Sequence, residues 1–134
     1  MIVFRYKEEF GRNGEVIKRP VADVFLKGKN GNWIEFHPYI DSGADITLIP
    51  LSLGKLIGLK LNKSKIDRIG GIRGSVPISY HKINLKIGGF IIMGKIGWAR
   101  IENVPPLLGR ENIFDFFNVA FKQNKGIIVF DRSR

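Results

Sequence analysis

Residues 39–50 read Tyr39-Ile40-Asp41-Ser42-Gly43-Ala44-Asp45-Ile46-Thr47-Leu48-Ile49-Pro50. Two carboxylates and two hydroxyls interrupt this otherwise apolar run. A carboxylate removed from water is costly unless it is hydrogen-bonded, protonated or shared. Asp-Ser-Gly forms a compact turn, because the hydroxyl can bond locally and glycine lets another backbone approach closely. The stretch therefore predicts that the Asp41 carboxylate is presented on a loop between two apolar strands.

Two further motifs follow this stretch, and the order of the three is more specific than any one of them. A bare Asp-Ser-Gly is most often a surface turn. The later motifs are Ile69-Gly70-Gly71-Ile72-Arg73-Gly74 and Pro106-Leu107-Leu108-Gly109-Arg110-Glu111-Asn112. In that order, the three resemble the retropepsin family, the retroviral-type aspartic proteases, over about residues 21–130. The resemblance implies an all-β acid-protease barrel with one or two short helices.

Strand and turn patterns agree with an all-β chain. Asn30-Gly31 is a strong hairpin signal between apolar runs at 21–26 and 33–40, and this hairpin leads directly into Asp41. Pro50 favours a short helix over 51–57 that ends at Gly58. Further strands are predicted at 1–6, 15–19, 66–68, 76–80, 83–87, 89–93, 96–101, 119–122 and 127–130, with a second helix at 111–117.

The chain has 134 residues, enough for one domain but too few for two protease lobes. Residues 1–20 are interpreted as an N-terminal extension packed on a protease domain at 21–134. Asp-Ser-Gly occurs once. A mechanism with two carboxylates therefore requires the second one from another copy of the chain.

The net charge is +10, and the excess lies in the middle of the chain. Such a patch can attract nucleic acid or acidic protein. No aromatic residue occurs between Pro50 and Ser79, so the stacking platform of a single-strand binder is missing there. A solvated basic face is favoured over a nucleic-acid partner. The cations concerned are Lys55, Lys60, Lys63, Lys65 and Arg68.

Other classes of chemistry find little support. The sequence contains no cysteine. His37 and His81 are far apart and lack the spacing of metal ligands, so both are interpreted as structural. We therefore expect no metal or cofactor. The glycine motif lacks the spacing and the following helix of a dinucleotide site. A membrane span needs a run of about 18 apolar residues, and the sequence contains no such run. We therefore expect a cytoplasmic protein with no membrane partner.

Peptide hydrolysis without a metal or a covalent intermediate needs a base that activates water and an acid that protonates the carbonyl oxygen and the leaving nitrogen. Two carboxylates about 3 Å apart supply both, because they cannot both ionise and so share one proton. The resemblance implies a homodimer with one active site on its two-fold axis. Asp41 of each subunit would form the dyad, with Ser42 bonding across the axis.

The resemblance also implies roles for the other motif residues. Gly70, Gly71 and Ile72 would form the tip of a flap that closes over a polypeptide substrate, and Arg110 would pair with Asp45. Ile46 stands where retroviral members often have an acidic residue. The catalytic triplet would be Asp41, Ser42 and Gly43; Gly43 and Asp45 would bind the substrate main chain; and Leu48, Ile72, Val104, Pro105 and Leu107 would line apolar pockets.

Two features depart from the retroviral pattern. The segment from Asp41 to Ile72 is long, and the helix at 51–57 could absorb the extra length. Retroviral dimers interleave their terminal strands, whereas this chain has an N-terminal extension and a C-terminal hairpin. The function predicted is a homodimeric aspartic endopeptidase that cuts extended apolar segments; the alternatives are an inactive dimerisation or peptide-binding module and a basic nucleic-acid binder.

Overall fold

Short β-strands separated by turns dominate the computed structural model, which describes residues 1–61, 66–71 and 74–132. One short α-helix, α1 (Leu51–Leu56), and a 3-10 helix at Gln123–Lys125 are the helical elements of this described part. The strands are β1 (Ile2–Arg5), β2 (Lys7–Phe10), β3 (Val16–Arg19), β4 (Val24–Lys27), β5 (Trp33–Phe36), β6 (Tyr39–Ile40), β7 (Thr47–Ile49), β8 (Asp67–Gly71), β9 (Gly74–Ile87), β10 (Phe90–Ala99), β11 (Leu107–Leu108), β12 (Phe117–Lys122) and β13 (Ile127–Arg132).

The main sheet has eight strands and brings the sequence motifs together. Its order is β5-β4-β9-β10-β7-β11-β6, with β8 paired to the far end of β9. A bridge between Val21 and Tyr39 links the segment before β4 to β6, so the sheet curls towards closure as a half-barrel. The prediction of an all-β chain with a barrel-like sheet and a short helix is confirmed. Since β11 pairs with both β6 and β7, the Leu107–Leu108 motif lies against both sides of the Asp41 loop.

The chain termini form a second sheet. β1 pairs with β13, and β13 pairs with β12, in the order β1-β13-β12. Phe4 and Phe130 meet edge to face there, with ring centroids 5.4 Å apart, and both are buried. The terminal strands thus pair within one chain. β2 and β3 form a separate two-stranded hairpin between β1 and the main sheet.

The helix α1 packs on β10 through Trp98. The indole Nε1 donates a hydrogen bond of 3.1 Å to the Leu51 carbonyl, and Trp98 is fully buried. A Cβ on Gly54 would lie 1.9 Å from Nε1, so only glycine fits beneath the indole. Glu102 accepts 2.7 Å hydrogen bonds from the hydroxyl and backbone N–H of Ser52, and these bonds lower the pKa of its carboxyl. The helix predicted at 51–57 is therefore present, one residue shorter.

Two local predictions are wrong. The segment 111–117 contains turns instead of a helix, because Asn112 has a φ of 68° and its Oδ1 accepts a 3.0 Å hydrogen bond from the Lys95 N–H. The contact with β10 holds Asn112 outside helical geometry, although the Phe114 N–H still donates to the Arg110 carbonyl at 2.8 Å and the Phe117 N–H to the Ile113 carbonyl at 3.0 Å. The separate strands predicted at 76–80, 83–87, 89–93 and 96–101 are two long strands, β9 and β10, which pair along ten residues.

Candidate active site

The predicted catalytic residue lies on a tight turn directly after β6. The Gly43 N–H donates a 2.9 Å hydrogen bond to Asp41 Oδ1, and the Ala44 N–H donates to the Asp41 carbonyl at 3.2 Å. Asp41 is half-buried, whereas Ser42 and Gly43 are exposed. The turn therefore holds one carboxylate oxygen in place and leaves the triplet open to solvent.

The segment after β11 supports this turn through backbone groups. The Asp41 N–H donates to the Leu108 carbonyl at 3.0 Å, and the Arg110 N–H donates to the Ala44 carbonyl at 2.9 Å. Gly109 is buried, and its N–H donates a 3.2 Å hydrogen bond to the buried Thr47 Oγ1. The first and third sequence motifs thus form one unit, and the position of Asp41 depends on both.

Arg110 and Asp45 form an ion pair through Nη2 and Oδ1. Their side chains are 52% and 81% exposed. An exposed pair of this kind contributes only about 0–1 kcal/mol, far less than the 3–5 kcal/mol typical of a buried one. In the single chain, backbone hydrogen bonds hold the two segments together more than this pair does.

We expect Arg110→Ala to lower the free energy of unfolding of the single chain by less than about 1 kcal/mol. Urea unfolding of dilute protein measures the change. Arg12→Ala, at an exposed position in the β2–β3 turn, is the matched control. A loss above about 3 kcal/mol in dilute protein would show that the pair is buried and that its exposure has been misassigned.

A cavity of about 380 Å³ lies beside Asp41. Asp41 is the one acidic residue among the described residues that line it, so they supply no second carboxylate. Two residues predicted to line substrate pockets, Pro105 and Leu107, are among its walls. The lining residues are Arg19, Pro20, Tyr39, Ile40, Asp41, Pro105 and Leu107.

A second cavity, of about 350 Å³, lies between the Asp41 turn and the start of the glycine motif on β8. It brings together five predicted residues: Gly43, Asp45, Leu48, Gly70 and Leu107. Leu107 borders both cavities, so they lie next to each other at this side chain. The remaining lining residues are Ala44, Ile46, Ile69 and Tyr80.

The glycine motif belongs to a hairpin of β8 and β9. Asp67 to Gly71 pair with Ile78 to Gly74 in antiparallel register. Gly71 is thus opposite Gly74 at the end of the ladder, and Ile72 lies outside the described residues. Val104 does not line either cavity; it packs with Leu48, Ile78 and Ala99 in a small apolar cluster beneath the second one.

Sequence reasoning missed the contacts of Arg19 and Tyr39, two residues that line the first cavity. Glu9 on β2 accepts a 2.7 Å hydrogen bond from the Tyr39 hydroxyl, and its Oε1 lies 3.7 Å from Arg19 Nε. The hydrogen bond to Glu9, aided by burial, raises the pKa of Tyr39. The β2–β3 hairpin therefore attaches to the wall of the cavity beside Asp41. No local motif marks this contact, because Glu9 and Tyr39 are thirty positions apart.

The two histidines have different environments. His37 Nδ1 lies 2.7 Å from Asp23 Oδ1 and Nε2 lies 3.6 Å from Glu35 Oε1 on an exposed surface. These three residues could in principle hold a metal ion, although the carboxylates lie at opposite nitrogens of the ring. His81 contacts the Ser79 hydroxyl at 2.8 Å, and burial together with Arg100 and Lys29 lowers its pKa. Neither histidine lines the cavities beside Asp41.

Comparison with known proteins identifies the fold. No protein-family model matches the chain, and no curated protein matches it. Among solved structures, the EIAV protease in complex with the inhibitor HBY-793 is 24% identical with a TM-score of 0.58, covering 73% of this chain and 88% of that one. A retropepsin-like aspartic protease from Rickettsia conorii is 16% identical with a TM-score of 0.67, covering 95% of both chains.

These similarities confirm the resemblance predicted from the sequence. The chain has the fold of the retropepsin-like aspartic proteases over nearly its whole length. In the described parts of the chain, no helix has the length and apolar character needed to cross a membrane.

Proposed function

We propose that the chain is an aspartic endopeptidase that acts as a homodimer on extended polypeptide segments. The observation that carries the proposal is the Asp41 turn, which is held by backbone bonds to Leu108 and Arg110 and lies beside two cavities that share Leu107. The described residues that line the first cavity include no second carboxylate. Asp41 of a second copy would complete the dyad.

In this mechanism the two carboxylates share one proton. The ionised carboxylate takes a proton from water as the water oxygen attacks the scissile carbonyl carbon, and the protonated one gives its proton to the carbonyl oxygen. The resulting gem-diol collapses: the C–N bond breaks, the protonated carboxyl gives its proton to the leaving nitrogen, and the other carboxylate takes a proton from a gem-diol hydroxyl as the product carboxyl group forms. The dyad ends with one proton, as it began.

The cavities favour a substrate with apolar side chains near the scissile bond. Leu48, Ile46 and Leu107 supply apolar walls, whereas Gly43 and Asp45 supply polar groups at the rim. The hairpin of β8 and β9 borders the same cavity through Ile69 and Gly70 and would serve as the flap. A flap of this kind excludes water while the substrate is bound.

The proposed dimer differs from one made by interleaved terminal strands. β1 is already paired with β13 of its own chain along four residues. The contact between copies would instead include the exposed Ser42 at the Asp41 turn, whose hydroxyl has no hydrogen-bond partner among residues 1–61, 66–71 and 74–132. In this proposed dimer β1 would keep its pairing with β13 of its own chain.

We expect peptidase activity to depend on both pH and protein concentration. The rate should be bell-shaped in pH with an acidic maximum, because carboxyls with a reference pKa of about 3.9 share the proton and their two apparent pKa values move apart. Specific activity should rise with concentration until the dimer is saturated, because one subunit holds half a site.

Cleavage of an apolar octapeptide, measured across pH and across enzyme dilution, tests this expectation. Sedimentation at the same concentrations gives the dimer fraction, which should follow the specific activity. Constant specific activity in a protein that sediments as a monomer would refute the half-site proposal. A dimer that binds the peptide without cleaving it at any pH would favour the inactive peptide-binding module.

A further inference from the structure

In the strand order of the main sheet, a group of five lysines lies towards the end opposite to the Asp41 motif. They come from three segments that are distant in sequence: the end of β4 with the loop that follows it, the segment after α1, and β9. Four are exposed and the fifth, Lys86, is half-buried. We call this group the lysine surface; its members are Lys27, Lys29, Lys60, Lys82 and Lys86.

Two concave regions join four of these lysines. A cavity of about 240 Å³ is lined by Lys27, Lys29 and Lys82, together with Asn84. A neighbouring cavity of about 430 Å³ is lined by Lys29, Lys60 and the imidazole of His81. The two cavities share Lys29 and Leu59, and neither has a carboxylate among its lining residues.

Aromatic rings extend the surface beyond the first cavity. Lys27 and Trp33 are cross-strand partners, and the Lys27 Nζ lies 5.9 Å from the centroid of the indole ring. Lys86 Nζ lies 5.0 Å from the Trp33 ring centroid and 5.6 Å from that of Phe25. These cation–π contacts hold the two ammonium groups close together on the sheet face.

The positive charge of this surface is not neutralised within the described part of the chain. None of the five lysines forms an ion pair with a described acidic residue, whereas Lys95 pairs with Glu111 at 3.3 Å. Glu35, on the same sheet face, lies 3.6 Å from His37 Nε2 instead. Clustered like charges repel, and a bound polyanion relieves that repulsion while releasing its own counterions.

We propose that the lysine surface binds the phosphate backbone of single-stranded nucleic acid. The ammonium groups form a row that runs from Lys86 past Trp33 and Lys27 to the two cavities. A ligand that carries one negative charge at each repeating unit matches such a row. Both aromatic rings are covered by ammonium groups, so base stacking contributes little and binding is independent of base sequence. None of the five lysines lines either cavity beside Asp41, so this site is separate from the proposed peptidase site.

Fluorescence anisotropy with a labelled mixed-sequence DNA strand of about 20 nucleotides tests the proposal. We expect dissociation constants of about 10⁻⁶–10⁻⁴ M at physiological salt, as for non-specific binding. The triple variant K27Q/K29Q/K82Q should bind at least about tenfold more weakly at low salt. Its slope of log K against log salt should be shallower by about 2, since each lost phosphate contact on a single strand contributes about 0.7.

The triple variant K18Q/K122Q/K125Q removes the same net charge from exposed positions away from this surface and is the matched control. It should lose less than about threefold. K27R/K29R/K82R keeps the charge and should retain binding, which separates lost charge from lost folding. Equal losses in the two glutamine variants, or tighter binding of polyglutamate than of DNA at the same salt, would overturn the proposal.

Discussion

Asp41→Asn is expected to abolish peptidase activity while the fold and the association of the chains persist. Asparagine has nearly the same shape, and its amide oxygen can still accept the hydrogen bond that the Gly43 N–H donates to Asp41 Oδ1 at 2.9 Å. It can neither share a proton nor take one from water. Removing general acid–base catalysis costs a factor of about 10²–10⁴. The loss should exceed this range, because the same group serves as base and as acid.

Cleavage of the apolar octapeptide by purified wild-type and variant protein measures the effect, with sedimentation and thermal unfolding as checks on assembly and fold. Asp131→Asn, at an exposed position on β13, is the control and should cleave at the wild-type rate. Full activity in a purified Asp41→Asn preparation would place the catalytic group elsewhere in the chain.

Gly109→Ala is expected to destabilise the fold more than any other single methyl group added near the Asp41 turn. A Cβ at Gly109 would lie 2.2 Å from the carbonyl oxygen of Ile46, 2.4 Å from its carbonyl carbon and 2.8 Å from its nitrogen. All three atoms belong to the backbone, so no side-chain rotation can relieve the overlap. Overpacking in a core costs about 1–3 kcal/mol, and this position should reach or exceed the upper value.

Equilibrium urea unfolding at fixed protein concentration measures the change, and Gly89→Ala in the β9–β10 turn is the control. No heavy atom lies within 4 Å of a Cβ added at Gly89, and its φ is not positive. The control should change stability by less than about 0.5 kcal/mol. A Gly109→Ala variant as stable as the control would mean that the backbone does not pass as closely to Ile46 as the structure indicates.

The two histidines show which contacts can be predicted from the spacing of residues along the chain. Their separation in sequence suggested structural roles without ligands nearby, yet the fold brings Asp23 and Glu35 to His37. The β4–β5 hairpin produces this cluster through its register: Val24 is opposite Phe36, so Asp23, one residue before, comes beside His37, one residue after. Spacing along the chain reports on contacts within a helix or a turn and not on contacts across a sheet.

The segment 111–117 shows the opposite error: local propensity predicts a helix that the fold does not form. Its residues could form a helix, and the first turn does bond from the Phe114 N–H to the Arg110 carbonyl at 2.8 Å. Asn112 then adopts a left-handed conformation and accepts a hydrogen bond from the Lys95 N–H. One contact with β10 outweighs helix propensity, which is worth less than about 1 kcal/mol for each residue.

The sequence by itself determined the turn that carries Asp41 and the short helix α1, and the resemblance of its three motifs indicated the retropepsin-like fold. The turn and the helix follow from short-range patterns, because turn residues and a proline at a helix start act within a few positions. The strand predicted at 33–40 is two strands, β5 and β6, which lie at opposite ends of the main sheet. Only the tertiary structure decided that the Arg110 and Asp45 pair is exposed, that Glu9 reaches Tyr39, and that five lysines form one surface. Those features depend on which strands become neighbours, and strand order is set by the summed burial of the whole core.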